Sequence, residues 1–187
     1  MTALDAVAGL DPETAERMAP VAALVRDVPD FPEPGVLFRD ITPVLADAEA
    51  FTVVATELAA LVGVADIVAG VEARGFLIGS AVAVVAGVGV VPVRKAGKLP
   101  RVAASRRYAL EYGEATLELP EGVVTSGNRV FVVDDVLATG GTAGAACALL
   151  RDVGAEVTGF GALVELRALG GRDRLVGDVA VHSLLTY

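Results

Sequence analysis

The sequence predicts an α/β fold, a single domain over residues 1–187 with a mainly parallel central sheet flanked by helices. Short apolar runs alternate with helical stretches at the spacing of βαβ units. Each run ends in glycine or polar residues, the place where parallel sheets hold their ligands. The third observation is bulk. A chain of 187 residues that is 54% hydrophobic suits one well-cored domain and excludes a disordered, self-repelling polymer.

In chain order, Asp11-Pro12 is a helix start, with Asp as cap and Pro at the first helical position. Pro20 is expected to kink or restart that helix, and Pro29 to end it. FPEPGVLFRDITPVL, residues 31–45, is rich in proline and aromatics and predicts an ordered loop or hood. Residues 48–62 form an amphipathic helix pattern. Three apolar runs follow, at Ile67–Val71, residues 88–93 and residues 129–133, with helical stretches after the first (75–86) and the third (142–153). A further strand is expected at Glu156–Glu165, after Gly154. Residues 98–119 carry Arg101, Arg106 and Arg107, are more polar than their surroundings and predict a flexible flap.

Composition removes several function classes. A net charge of -9 argues against general attraction to nucleic acid or an anionic membrane. Cys147 is the only cysteine and His182 the only histidine, which leaves neither a disulfide framework nor a Cys/His zinc site. Nucleophilic catalysis centred on histidine has little room, and any metal is expected to be oxygen-ligated magnesium. The mean hydropathy of +0.62 calls for a membrane check. Residues 75–93 are 19 residues without a charge, but Gly75, Gly79, Gly87, Gly89 and Pro92 divide them into a buried helix, a turn and a strand rather than a span. No basic region precedes an apolar run near Met1, so a reduced cytoplasm is the expected location, with no membrane partner.

The strongest signal is VFVVDDVLATGGT, residues 130–142. Four apolar residues predict a buried strand with Asp134 and Asp135 at its carboxyl end, then small residues, then a helix. Backbone N–H groups of Ala138, Thr139, Gly140, Gly141 and Thr142 could approach an anion closely, and the helix N-terminus adds a positive dipole end. Two carboxylates beside a phosphate would repel it, so they need another purpose, and accepting hydrogen bonds from sugar hydroxyls is one. Cradle and acid pair together are the footprint of a ribose 5-phosphate. The plainer alternative is a capped loop with two solvated acids. Neither a GxxxxGK[ST] nor a GxGxxG string occurs.

This string resembles the phosphoribosyl-diphosphate (PRPP) motif of type I phosphoribosyltransferases. FPEPGVLFRDITPVL, GVEARGFLIGSAVA, VPVRKAGKLP and YALEYG are similar to four segments of the adenine phosphoribosyltransferases within that family, in the same order and spacing. The likeness extends from about Phe31 to Tyr187. It implies purine salvage: adenine plus PRPP giving AMP plus pyrophosphate, with Mg2+ and as a homodimer.

GVEARG places Arg74 at the mouth of a helix, where guanidinium and N–H groups could hold an anion together. The resemblance makes this loop, Glu72, Ala73 and Arg74, a pyrophosphate site with a cis Glu72–Ala73 peptide, and gives Arg74 a catalytic role on the leaving group. The alternative is an ordinary Glu72–Arg74 surface ion pair. The chain has 13 Arg but only two Lys, Lys95 and Lys98, both in VPVRKAGKLP. A lysine kept where arginine is otherwise used suggests a need for compact ammonium, and Arg94, Lys95 and Lys98 could neutralise a departing diphosphate. By resemblance Glu111 lies near the base as a proton-transfer group, with Tyr112 beside it in the flap; a solvated hairpin charge is the alternative. Arg107 stands where the family commonly has a hydroxyl residue. In the hood, Phe38 offers a stacking face and the backbone around Leu37 and Arg39 can read a purine edge, although core packing would explain the aromatic equally well. Base identity rests on the resemblance, so transfer to xanthine or guanine stays open. A PRPP-sensing regulator is the rival from another class, and it would need a nucleic-acid-binding domain for which there is no basic patch.

Overall fold

The computed structural model describes residues 3–109, 113–175, 177 and 179–187. After a short α1 (Ala3–Ala6), α2 (Pro12–Leu24) begins where expected, Asp11 Oδ1 accepting the Thr14 N–H at 3.1 Å. The helix does not restart at Pro20 but runs through it, and it ends at Leu24 rather than at Pro29, which closes β1 (Arg26–Pro29). One missing backbone bond and a steric clash cost about 3 kcal/mol. Burial of Met18, Val21 and Ala22 on the same helix offsets that, since a large buried apolar side chain contributes about 1.5–3 kcal/mol.

The hood is more regular than a loop. β1 (Arg26–Pro29) and β2 (Leu37–Asp40) pair antiparallel, with Val28 opposite Phe38, and α3 (Thr42–Ala46) follows. Phe31 packs edge-on against Phe38 at 5.1 Å. Next come α4 (Ala48–Ala59), capped by Asp47, then β3 (Ile67–Val71), α5 (Arg74–Ala86) and β4 (Gly89–Lys95). The region predicted as a flap holds a hairpin, β5 (Val102–Ala109) and β6 (Glu114–Pro120). The chain then forms β7 (Arg129–Leu137), α6 (Gly141–Asp152), β8 (Glu156–Glu165) and β9 (Val181–Thr186).

The seven-stranded sheet has the order β5-β6-β4-β3-β7-β8-β9. β4, β3, β7, β8 and β9 are mutually parallel, and the β5–β6 hairpin adds antiparallel at the β4 edge. Alternation along the strands divides the core in two. Val68, Phe131 and Val133 face α2, α4 and α5, whereas Ala69, Val130 and Val132 face α6. The helices after β3 and β7 therefore leave the sheet on opposite faces, and the loops carrying Glu72–Arg74 and Ala138–Gly140 open side by side. That crevice is the topological switch point where α/β sheets bind ligands. No helix among the described residues is long and apolar enough to cross a membrane; residues 75–93 divide into α5 and most of β4, as expected.

Asp66 ties the start of β3 to the start of β7. Its carboxylate accepts from the Arg129 backbone N–H at 3.0 Å and from the guanidinium at 2.6 and 3.2 Å. Hydrogen bonds from Arg129 bring its pKa down to about 2. A carboxylate whose folded pKa is depressed contributes stability above its unfolded pKa and loses it as pH falls through the folded one. Asp66→Asn should therefore melt a few degrees below the parent at pH 7, and the gap should close as pH falls from about 4 towards 2. Thermal melts of both proteins across that range check this.

Candidate active site

The phosphate-cradle string forms one wall of a cavity of about 250 Å3, lined by Asp134–Ala143 together with Glu72, Lys95, Tyr108 and Leu117. β7 runs further than the sequence suggested, to Leu137 rather than Val133, because β8 continues beside it and takes its backbone bonds: Asp134 lies opposite Ala162, and Leu137 opposite Glu165. The two acids thus stand within a rigid central strand rather than just beyond it. Ala138, Thr139 and Gly140 make the turn, Gly140 in the left-handed region at φ 78°, and α6 starts at Gly141. Thr142 Oγ1 donates to Tyr108 Oη at 3.3 Å, and a Cβ on Gly141 would come within 3.1 Å of the Ala109 carbonyl, so the hairpin lies close over the cradle.

The acids are not equivalent. Asp134 is buried and its Oδ1 accepts the Asp135 N–H at 2.8 Å. Burial first, then the neighbouring Asp135 charge, pushes its pKa well above the ordinary carboxylate range. Asp135 Oδ2 lies 2.6 Å from Arg74 Nη2, yet among the described residues it makes no aligned hydrogen bond. It is a buried acceptor with charge compensation but an unused lone pair.

The Glu72–Ala73 peptide is cis, as the resemblance implied. Glu72 and Arg74 are not each other's partners, which sets aside the plain ion-pair alternative. Glu72 is paired with Lys98, lies 3.4 Å from Arg94 Nε and accepts the Lys95 backbone N–H at 3.0 Å. Burial pushes Glu72 up, but the Lys98 ammonium, the Lys95 N–H and the nearby Arg94 charge outweigh it and hold the carboxyl below its usual range. Among the described residues Arg94 Nε makes no hydrogen bond, and Nη1 donates to the Lys98 carbonyl at 3.1 Å. Lys95 lines the cavity, while Arg94 and Lys98 converge on Glu72 behind it.

Arg74 links two subsites, for its guanidinium also stands over the Phe38 ring at 5.1 Å. Leu37 is 46% exposed. The Arg39 side chain turns away to an ion pair with Asp27 and to the Tyr187 ring at 4.3 Å, leaving its backbone as the group available to a ligand. Arg107 pairs with Glu114 across the hairpin at 3.3 Å. Glu111 and Tyr112 lie outside the described residues. Tyr108, Leu117, Val136 and Ala143 also line the cavity and are not among the sequence candidates, although Tyr108 opens the YALEYG segment.

Among the described residues no three His, Cys, Asp or Glu side chains gather into a cage. Glu72 is engaged by Lys98 and Asp134 by a backbone N–H, while Asp135, beside Arg74, keeps one oxygen without a hydrogen bond. Such a wall suits an ion brought in on a polyoxygen substrate.

Residues 46–178 match the model of the phosphoribosyl transferase domain family. The adenine phosphoribosyltransferase of Saccharopolyspora erythraea is 59% identical, with the match covering 95% of this chain and 96% of that one. That of Mycolicibacterium smegmatis is 54% identical over 92% of this chain and 96% of its own. Among solved structures, the adenine phosphoribosyltransferase of Rhodothermus marinus superposes with a TM-score of 0.87 at 42% identity, covering 92% of this chain and 99% of that one. The Saccharomyces cerevisiae enzyme, in complex with an imino-altritol bisphosphate and adenine, gives 0.85 at 36%, covering 91% and 99%.

Proposed function

The chain belongs to the phosphoribosyl transferase family, and from that premise we propose that it is a purine-salvage transferase, moving the phosphoribosyl group of PRPP to adenine and releasing AMP and pyrophosphate. One observation carries the phosphosugar half of this reading. A small-residue loop at a helix N-terminus and a buried acid pair, with one free acceptor, share a single cavity. The adenine half draws on the relatives, which carry that base in their names.

Ala138, Thr139, Gly140, Gly141 and Thr142 receive the 5′-phosphate, and Asp134 and Asp135 the ribose hydroxyls. The diphosphate lies along Glu72, Ala73 and Arg74, with Lys95 facing it and Arg94 and Lys98 completing the positive wall. Adenine stacks on Phe38 and is read by backbone around Leu37 and Arg39. The bond from the anomeric carbon to the diphosphate oxygen breaks with its electron pair leaving on the diphosphate. A ring nitrogen of adenine supplies the new pair from the opposite face, and Glu111 takes the ring proton, with Tyr112 beside it in the flap. The sugar is oxocarbenium-like between the two events, so fixed carboxylates on one side and fixed cations at the leaving group act where charge develops. Magnesium, brought in with PRPP and water, would add to that neutralisation. The 98–119 flap closes over the sugar and excludes water.

The exposed apolar face of α4 and α5, with Leu77, Val84 and Val85 beside Phe51, is the surface we assign to a second copy in a homodimer. The compartment that goes with this reading is the cytoplasm.

The test is a panel of free bases. Incubated with PRPP and magnesium, the protein should convert adenine to AMP and leave hypoxanthine, guanine and xanthine at least about a hundredfold slower, as expected when a pocket's hydrogen-bonding edge is mismatched. Preferred conversion of guanine or xanthine would move the assignment to another purine. PRPP binding with no nucleotide formed from any base would favour a sensor.

A further inference from the structure

Between β8 and β9 the chain makes two 3-10 turns, Arg167–Leu169 and Arg172–Arg174, and Gly171 between them lies against the turn after β7. Arg172 fastens the second of them. Its Nε donates to both Glu165 oxygens at 3.0 and 3.2 Å, its Nη2 to Glu165 Oε2 at 2.5 Å and Ser183 Oγ at 2.9 Å, and its Nη1 to the Val181 carbonyl at 2.6 Å. Ser183 Oγ donates to the same Glu165 oxygen at 2.5 Å. Glu165 is only 3% exposed. A buried ion pair is weak evidence of net stability, because desolvation offsets most of its attraction. What it does supply here is a fixed position for the neighbouring residue.

That neighbour is Gly171. Its φ of -62° is ordinary backbone that any residue adopts, so conformation does not require glycine there. Space does. A Cβ on Gly171 would stand 2.1 Å from the Ala138 carbonyl oxygen and 2.8 Å from the Gly140 nitrogen, and a Cβ on Gly140 would stand 2.5 Å from the Gly171 carbonyl oxygen. The two turns are in backbone-to-backbone contact, and the Leu166 N–H donates to the Leu137 carbonyl at 2.8 Å at their root.

We infer that Gly171 and Arg172 are positioning residues for the phosphate loop, Arg172 bracing the turn through Glu165 and Ser183 while Gly171 presses on Ala138 and Gly140. The inference rests on the reading of Ala138–Thr142 as the 5′-phosphate site. Neither residue lines the cavity. Their effect is on the backbone N–H groups that do, and misplacing such groups by about 1 Å loses on the order of a hundredfold in rate.

The test compares ligands with and without a 5′-phosphate on the intact chain. In Gly171→Ala and Arg172→Gln, the Kd for ribose 5-phosphate by calorimetry and the KM for PRPP should each rise at least about tenfold. The KM for adenine should stay within about twofold, because the hood is untouched. Arg172→Lys and Ser183→Ala each keep part of the network, should fold if the others do not, and should give smaller shifts in the same direction. A lowered melting temperature with unchanged PRPP KM and ribose 5-phosphate Kd, in whichever of the four variants fold, would show the brace to be structural only and overturn the inference. Failure of the parent protein to bind ribose 5-phosphate at all would overturn the phosphate-site reading beneath it.

Discussion

Replacing Asp134 and Asp135 together with asparagine should lower turnover by about 10²–10³-fold while the protein stays folded. Asn keeps the shape and an Oδ1 that can still accept the Asp135-position N–H, now held at 2.8 Å by Asp134, so the strand has no reason to move. What disappears is negative charge beside the ribose, including the unused Oδ2 lone pair of Asp135. The stability readout should go the other way from the activity readout. Burial and the Asp135 charge raise the pKa of Asp134, and a group with a raised folded pKa loses stability as pH rises through that value. Asn cannot ionise, so at neutral and alkaline pH Asp134→Asn alone should melt at or above the parent temperature. Rates and thermal melts of the single and double variants check both halves. Near-normal turnover in the double variant would remove the acids from the mechanism, and a collapsed melting temperature would make their role structural.

The second large effect is expected at Lys95. Lys95 lines the cavity and its backbone N–H is fixed by Glu72, so its ammonium is the cation expected to follow charge accumulating on the diphosphate. Loss of one such contact should raise the barrier by about 2–4 kcal/mol, roughly 30- to 1,000-fold in rate. Lys95→Ala should slow AMP formation and pyrophosphorolysis alike while AMP affinity barely changes, because AMP carries no pyrophosphate. Lys98→Ala should act in the same direction but less, since the Lys98 ammonium is engaged by Glu72. Lys98→Arg should restore only part of it, a planar fork replacing a compact ammonium. If AMP affinity falls as far as turnover in Lys95→Ala, the lysine belongs to the nucleotide pocket and the leaving-group role is wrong.

How much of this was legible in the chain depended on how local the signal was. β3 has the bounds its sequence indicates, because a strand buried on both faces is apolar throughout and gives way to charge at Glu72. β8 spans Glu156–Glu165 as expected, with Gly154 before it. β9 was missed: VHSLLT is short, only its Leu184 and Leu185 are buried, and no glycine-bounded apolar run announces it. The β1–β2 ribbon hides in a proline-rich stretch whose pairing spans the Phe31 turn. The helix does not restart at Pro20, because that local cost is offset by the burial of Met18, Val21 and Ala22 in the tertiary core. At the site, the Asp134–Thr142 string was visible because strand, acids, loop and helix follow one another in sequence. Partnerships across strands were not. Glu72 meets Lys98 only because β3 and β4 lie parallel with Val71 opposite Val93, and Arg74 meets Asp135 only because β7 is the other neighbour of β3. Gly171 left no trace, since its glycine answers to a backbone that arrives from residues 138–140.

The most direct test of phosphoribosyl transfer to adenine is pyrophosphate release from PRPP, measured with adenine and, at the same concentration, with hypoxanthine. Release should be strong with adenine, match AMP one for one, and remain near the base-free background with hypoxanthine. Equal release with both bases, or release that continues with no base present, would contradict the account.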